Sequence, residues 1–358
     1  MKTVEFAAKS RPLVKLKDWG LKPLVLDFYM QRIWPTFSIE RVFARVIGKM
    51  PLSPHAVTLT LKPNFNFKDF KPGQHLLLTT TVDGQRYTRT YSPTLKSPRR
   101  LEITVKNIAD GKVSSQICQF LKPGAIVEVS QPFGNMTWSE LPPSAHYTFC
   151  AGGVGITPLR SLLYAWDKTP SLRQNKSIDL HYWAHSAEEL YFKEEILGFE
   201  KRNPRLKVHF YTTRSTSAGA RINESLFANS ETVFVACGPQ SFVTKTEEIA
   251  IGKKQRFYGE HAQEAKVEEA AGEETFFDII YDDQMIQASS KKTILESLEE
   301  KGFKPVHGCR MGICKSCTCM KASGLSLNIK NQTISHENNE EIQICVSKPR
   351  SQMTVRGY

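Results

Sequence analysis

A multidomain α/β plus β architecture is what this 358-residue sequence predicts: an antiparallel β-barrel, then a parallel α/β domain, then a small β-rich domain built around cysteines. Three observations carry that prediction. Short β-rich runs broken by turns fill residues 39–142. From 143 to 259 strands and helices alternate, with a glycine-rich turn between the first pair. Four of the eight cysteines fall within the eleven residues from Cys309 to Cys319, and Cys345 follows near the end. Barrels, parallel sheets and cysteine frameworks leave these three signatures.

In the first segment, residues 42–47, 56–61, 75–82 and 101–105 are the β-rich runs, and Asp83-Gly84 marks a hairpin turn. Among them lies Arg89-Thr90-Tyr91-Ser92-Pro93. A guanidinium, an aromatic ring and a hydroxyl so close together offer a phosphate fork, a stacking face and a hydrogen-bond donor, which is what a flavin requires. Gly111, Ser114 and Ser115 then open a helical run at 113–121 whose N-terminal amides could hold a phosphate. An ordinary helix cap is the alternative reading of those residues. Gln131-Pro132-Phe133-Gly134 follows. Together these strings resemble the flavin domain of the ferredoxin-NADP reductase family. The resemblance implies that Arg89 binds flavin phosphate, that Tyr91 lies against the isoalloxazine and that Ser92 hydrogen-bonds near N5. It implies FAD, with FMN as the alternative because phthalate-type reductases of this domain order use it.

The second segment begins with a strand at 147–151. Gly152-Gly153-Val154-Gly155-Ile156-Thr157-Pro158 turns from it into a helix running to about Trp166. Glycines let a pyrophosphate approach the backbone at a helix N-terminus, and Pro158 suits a first helical turn. Further strands are expected at 178–183, 207–211 and 232–236, the last ending in Cys237-Gly238-Pro239. That string again matches the reductase family, in which the cysteine lies near the nicotinamide; a small core residue is the alternative. Arg214 and Arg221 have no acid between them and could grip a 2′-phosphate by forked hydrogen bonds. They point to NADPH, with NADH the alternative if both arginines are merely solvated. Ser92 and Cys237 are assigned to the hydride site, with Glu260 a third member.

In the third segment, Cys309, Cys314 and Cys317 are spaced x4 and x2, and with the distant Cys345 this is the plant-type spacing for a 2Fe-2S cluster. Gly308 and Gly312 suit a loop whose backbone passes close to sulfur and tolerates unusual φ. A zinc knuckle would repeat its cysteine pair in a second half, which the lone Cys345 does not make. Cys319 reads as a buried bystander. From about Phe276 to Tyr358 the chain resembles a plant-type ferredoxin domain, Arg310 and Gly312 included, which implies a β-grasp fold.

The domains are therefore expected at 39–142, 143–259 and 275–358, with an N-terminal extension at 1–38 and an acidic Ala/Gly/Glu linker at 260–274. The order flavin, nucleotide, ferredoxin resembles bacterial oxygenase and desaturase reductases. It implies that a hydride from NADPH is split into single electrons for an acceptor protein. The formal charge of +12 favours an anionic surface, and no motif supports nucleic acid. Neither a secretory leader nor an 18-residue apolar span is read, so the expected location is cytoplasmic, peripheral at the inner face of the membrane.

The first 50 residues carry ten Lys or Arg against four Asp or Glu, interleaved with Trp19, Phe28, Tyr29 and Trp34. A helix with Leu21, Leu24, Val25 and Phe28 packed inward is one reading of the extension, and a membrane or partner contact the other. On that basis the acceptor is expected to be a membrane-bound fatty acyl desaturase. A soluble Rieske-type oxygenase or a hybrid-cluster protein is the runner-up, and a non-catalytic 2Fe-2S carrier is the alternative of another class.

Overall fold

The computed structural model describes residues 23–82, 85–97, 99–109, 111–214, 221–227, 231–261, 274–330 and 333–357. It opens with helix α1 (Pro23–Ile33). Asp27 on this helix is buried, accepting from the Ser38 hydroxyl at 2.6 Å and the Ile39 N–H at 2.9 Å, so the helix is tied to the chain entering the first domain. Phe28 does not pack inward as the helical spacing suggested. Phe28, Tyr29, Ile33 and Trp34 are 57%, 61%, 84% and 58% exposed.

The first domain is one curled antiparallel sheet, in the order β4-β3-β7-β1-β2-β6-β5. Its strands are β1 (Val42–Ser53), β2 (Ala56–Pro63), β3 (Leu76–Val82), β4 (Gln85–Tyr91), β5 (Thr94–Ser97), β6 (Arg100–Lys106) and β7 (Ile126–Val129). Ala44, Val46, Leu59, Leu61, Leu76, Leu78 and Ile103 fill its interior without exposure. Alternation along β3 sends Leu76 and Leu78 inward and leaves Leu77 and Thr79 on the opposite face. Asp83-Gly84, the expected turn between β3 and β4, lies outside the described residues. The expected helix at 113–121 is a single turn, α2 (Lys112–Ser115), running into a π-turn at 116–120. Lys49 Nζ donates to the carbonyls of Ile117 and Leu121 and satisfies the groups that the widened turn leaves open.

The second domain is a parallel sheet ordered β10-β9-β8-β11-β12. It comprises β8 (His146–Gly152), β9 (Ser177–Ala184), β10 (Leu206–Thr212), β11 (Val233–Gly238) and β12 (Arg256–His261). It is flanked by α3 (Ile156–Lys168), α4 (Pro170–Asn175), α5 (Lys193–Arg202) and α6 (Gln240–Gly252). Every residue of β11 is buried, as a strand covered on both faces requires. Strand β12 reaches His261, so Glu260 belongs to the sheet and not to the linker. At the linker's other end, Glu274 accepts from the Ser289 hydroxyl. Residues 262–273 lie outside the described set.

The third domain orders five strands as β14-β13-β20-β15-β18 and three more as β17-β16-β19. These are β13 (Phe276–Tyr281), β14 (Gln284–Ser289), β15 (Thr318–Ser323), β16 (Ser326–Asn328), β17 (Thr333–Ser335), β18 (Glu340–Gln343), β19 (Ser347–Pro349) and β20 (Met353–Arg356). Helix α7 (Ile294–Glu300) starts in a capping box between Thr293 and Glu296 and buries Ile294, Leu295 and Leu298.

Candidate functional site

Strands β3 and β4 place the flavin motif. Leu76, Leu77 and Leu78 pair with Tyr91, Thr90 and Arg89 in register. Tyr91 packs on the barrel core, and burial holds its phenol neutral against the pull of the Arg89 charge. The Thr90 hydroxyl is buried without a hydrogen-bond partner. Leaving such a group unsatisfied costs about 1–3 kcal/mol, so a polar ligand atom belongs beside it, and the residues fit a flavin on this ground. Ser114 and Ser115 spend their hydroxyls locally. Ser114 Oγ accepts from the Ile108 N–H and donates to the Gly111 carbonyl, and Ser115 Oγ donates to Asn107. A Cβ on Gly111 would stand 2.5 Å from Ser114 Oγ, so this turn has room for glycine alone.

Just beyond the motif, Ser92 Oγ lies 2.8 Å from His75 Nδ1, and His75 Nε2 lies 2.5 Å from Glu260 Oε2. Glu260 pairs in register with Cys237 on β11. Burial, then the Glu260 charge, pushes the Cys237 thiol well up, so it remains a neutral thiol. Ser92, Cys237 and Glu260 therefore do gather at one place, although they come from three separate parts of the chain.

The nucleotide loops meet at the carboxyl ends of β8 and β11, where strand order reverses and α/β sheets bind ligands. Gly155 lies against the Cys237-Gly238 peptide, where a Cβ would fall 2.1 Å from the Cys237 carbonyl oxygen. Gly152 and Gly238 are less tightly placed, a Cβ at the first meeting Pro239 at 3.0 Å and at the second Phe242 at 2.9 Å. Gly153 takes φ +55 with open space around it, which suits close approach by a ligand. Thr157 Oγ1 closes the turn on the Val154 carbonyl, and Pro158 sits buried in the first turn of α3. Arg214 and Arg221 are both exposed, beyond the end of β10.

In the cluster loop, Cys317 and Cys345 bring their sulfurs to 3.0 Å. The Cys309 sulfur accepts from the N–H groups of Met311, Ile313 and Cys314, and Cys314 Sγ accepts from the Cys309 N–H. A bond from the Cys309 thiol, then backbone donors, pulls Cys314 down to about 5. The thiols pair two and two, Cys309 with Cys314 and Cys317 with Cys345, which fits the two irons of a 2Fe-2S cluster. Gly312 does take φ +65, but Gly308 is needed for room: a Cβ there would lie 2.9 Å from Cys314 Sγ and 3.0 Å from Leu77 Cδ1. Arg310 and Lys315 adopt left-handed φ as well, with Arg310 held by Glu299. Cys319 is buried in the domain core, where burial raises its thiol to about 11.

Three family profiles match in the order the motifs suggest: an oxidoreductase FAD-binding domain at 44–138, an oxidoreductase NAD-binding domain at 149–248 and a 2Fe-2S iron-sulfur cluster binding domain at 279–350. The chain belongs to the ferredoxin-NADP reductase family, with a C-terminal 2Fe-2S domain. It is similar to an NADPH oxidoreductase of Mycobacterium tuberculosis, 27% identical over 91% of this chain and 87% of the relative. A glycine betaine monooxygenase reductase subunit of Chromohalobacter salexigens is 26% identical over 80% and 87%. The fold of phthalate dioxygenase reductase superposes with a TM-score of 0.60 at 22% identity, covering 88% of this chain and 97% of that one. This reductase is thus an electron-transfer oxidoreductase with FAD, NAD(P) and 2Fe-2S domains, and not a bare iron-sulfur carrier.

Two residues of this centre have no motif to announce them. His75, immediately before β3, and Leu77 within it both lie on the side away from the barrel core, the first bonded to Ser92 and Glu260, the second beside the cluster loop. The signal available was the alternation His75, Leu77, Thr79 against the buried Leu76 and Leu78.

Proposed function

We propose that this reductase takes a hydride from NADPH and passes single electrons through its 2Fe-2S centre to a membrane-bound fatty acyl desaturase. The observation that carries the electron route is the approach of the cluster loop to Leu77, whose Cδ1 would lie 3.0 Å from a Cβ on Gly308 and which pairs with Thr90 of the flavin motif. A bound FAD supplies the conversion of one hydride into two separate electrons. Around it, Arg89 and Tyr91 bind and orient, Ser92 offers a hydrogen bond, and the neutral Cys237 thiol sits where the nicotinamide would lie. Arg214 and Arg221 are free of a neighbouring acid in sequence and exposed, which supports NADPH over NADH. Substituting both by alanine should cut the preference for NADPH by at least tenfold; an unchanged preference removes the assignment.

The desaturase reading rests on α1, whose exposed Phe28, Tyr29, Ile33 and Trp34 adjoin a strongly basic N-terminal run. Each basic residue near anionic lipid adds on the order of 1 kcal/mol of attraction. Among the described residues no helix is long and apolar enough to cross a membrane, so the contact would be peripheral. Phe28→Ser with Ile33→Ser should spare NADPH-dependent dye reduction yet weaken binding to phosphatidylglycerol vesicles and turnover coupled to a desaturase. Unchanged coupling would take α1 out of the argument, and no coupling by the native protein would sink the reading.

A second reading, a soluble oxygenase as acceptor, has its own support. Relatives are named as monooxygenase reductase subunits. A groove of about 490 Å³ on the third domain, lined by Glu337, Glu340, Glu341 and Gln343, lies on the segment leading to Cys345. Capture of the acceptor from the membrane or the soluble fraction of the native cell separates the two.

A further inference from the structure

Strands β17 and β18 follow one another with only residues 336–339 between them, a connection at which antiparallel strands ordinarily close into a hairpin. These two do not close. Strand β17 pairs with β16 and β18 with β15, so among the described residues each is the outermost strand of its own sheet. Lys321 of β15 pins the point where they diverge. Its side chain is wholly buried; its ammonium donates to the Ser335 carbonyl of β17 at 3.0 Å and to the Gly324 carbonyl at 3.0 Å, and stands 3.7 Å from the Glu340 carboxylate of β18. The Ser335 hydroxyl donates to the same carboxylate. A buried cation is tolerable only with such partners, so the opening is built into the domain and is not a frayed end.

The groove of about 490 Å³ lies between the two edges, and both strands line it. That volume is within the range of about 300–1,000 Å³ usual for ligand sites. Glu337, Glu340 and Glu341 line it and no lysine or arginine does, in a chain whose formal charge is +12. Lys321 answers Glu340, while Glu337 and Glu341 are exposed. Gln343 Nε2 is buried in the groove wall without a hydrogen-bond partner, a donor that an entering carbonyl would satisfy. Gln343 and Ser347 stand on either side of Cys345, so the groove runs up to the segment that carries the last cluster ligand.

We propose that this groove takes an extended, basic segment of the protein that receives the electrons, added as a strand between the edges of β17 and β18. The inference rests on the reading of the chain as a donor to an acceptor protein, and it holds for a membrane-bound or a soluble one. An outermost strand offers its main-chain groups to an added strand, which supplies affinity, and the side chains around it supply selection. Strands β17 and β18 have three and four residues, which sets the length of the added strand. Basic residues at alternate positions of such a strand share one face, and that face would meet Glu337 and Glu341. A second copy of this chain fits less well, because it would set the carboxylates of one β18 against those of the other. Occupancy would seat the acceptor at the Cys317 and Cys345 pair and leave the Cys309 and Cys314 pair to Leu77.

The probe is a short fluorescein-labelled peptide of alternating Lys and Thr, titrated into the intact, cluster-loaded protein with anisotropy as the readout. Methylating its alternate amide nitrogens removes main-chain donors and keeps the charge, and should weaken binding about tenfold. The double variant Glu337→Gln with Glu341→Gln should also bind the parent peptide about tenfold more weakly. A peptide of alternating Glu and Thr should not bind. Amide exchange read by mass spectrometry should show residues 333–335 and 340–343 protected by saturating peptide. A methylated peptide that binds as well as its parent, or protection confined to other parts of the chain, overturns the proposal, since the attraction is then one of charge alone. Dimers in sedimentation that the peptide disperses would give the groove to a second copy and overturn it as well. Bleaching of the cluster's visible absorption by NADPH is followed in the same sample. Bleaching without peptide binding removes the groove alone, whereas failure to bleach removes the electron-donor reading beneath it.

Discussion

The flavin domain has two neighbours, and it holds them in different ways. Toward the nucleotide domain the joint is clamped by buried charge. Arg160 of α3, 3% exposed, reaches Glu102 on β6 at 2.7 Å and Glu195 on α5 at 2.6 Å, with the Phe192 ring centroid 3.8 Å from its guanidinium. Lys96 of β5 reaches Glu195 at 2.6 Å, and Lys106 of β6 reaches Glu189 at 2.9 Å. Toward the ferredoxin domain the apolar Leu77 side chain stands beside Gly308, where a Cβ would come within 3.0 Å of it, and among the described residues the ion pairs of that domain (Lys292–Glu300, Arg310–Glu299, His307–Glu299, Lys321–Glu340) close within it. The chemistry explains the contrast. A hydride moves only between atoms in contact and correctly oriented, so its two carriers must be locked together. An electron tolerates a gap, so the cluster domain needs only proximity, and a light contact leaves it able to meet an acceptor.

The largest effect is expected at the cluster. Cys345→Ser should abolish the cluster's visible absorption and all reduction of a one-electron acceptor protein, while NADPH-dependent dye reduction at the flavin persists; loss of both would mean that the two halves are not separable. Next in size is Arg160→Ala. It strands Glu102 and Glu195 at the clamped joint and should cost about 3–5 kcal/mol, the usual penalty for breaking a buried pair, read by thermal unfolding. The cluster spectrum should be unaffected.

A smaller effect comes from acid. Burial alone would raise the Glu195 carboxyl, but Arg160 and Lys96 outweigh it and hold it below its ordinary value of 4.5. Its folded value being depressed, the stabilisation is complete above about pH 4.5 and is lost as pH falls through the folded value. Glu195→Gln should flatten that part of the stability profile. The smallest effect on stability is expected from Leu77→Ala, half-buried at the light joint. It should leave the melting temperature within a few degrees of native yet slow flavin-to-cluster electron transfer severalfold in stopped-flow absorbance. A fall as large as that of Arg160→Ala would show that the second joint is also structural.

Parts whose chemistry is local were legible from residue order alone. The x4 and x2 spacing of Cys309, Cys314 and Cys317, the Arg89 to Ser92 string and the glycines from 152 to 155 each gather candidate ligands within a few residues, so spacing alone points to them. The length of β1, the π-turn after α2 and the outward Phe28 escaped it, because bulges, a lysine 68 or more residues distant and one buried aspartate decide them. What joins the parts exists only in the folded chain. His75 lies 185 residues from Glu260, and Arg160 lies 58 from Glu102. In sequence one reads as a strand residue and the other as an ordinary basic residue on an amphipathic helix. Their roles exist because the barrel and the parallel sheet meet along one face, and a charged or titratable side chain buried there must find its partner across the joint, wherever in the chain that partner was made.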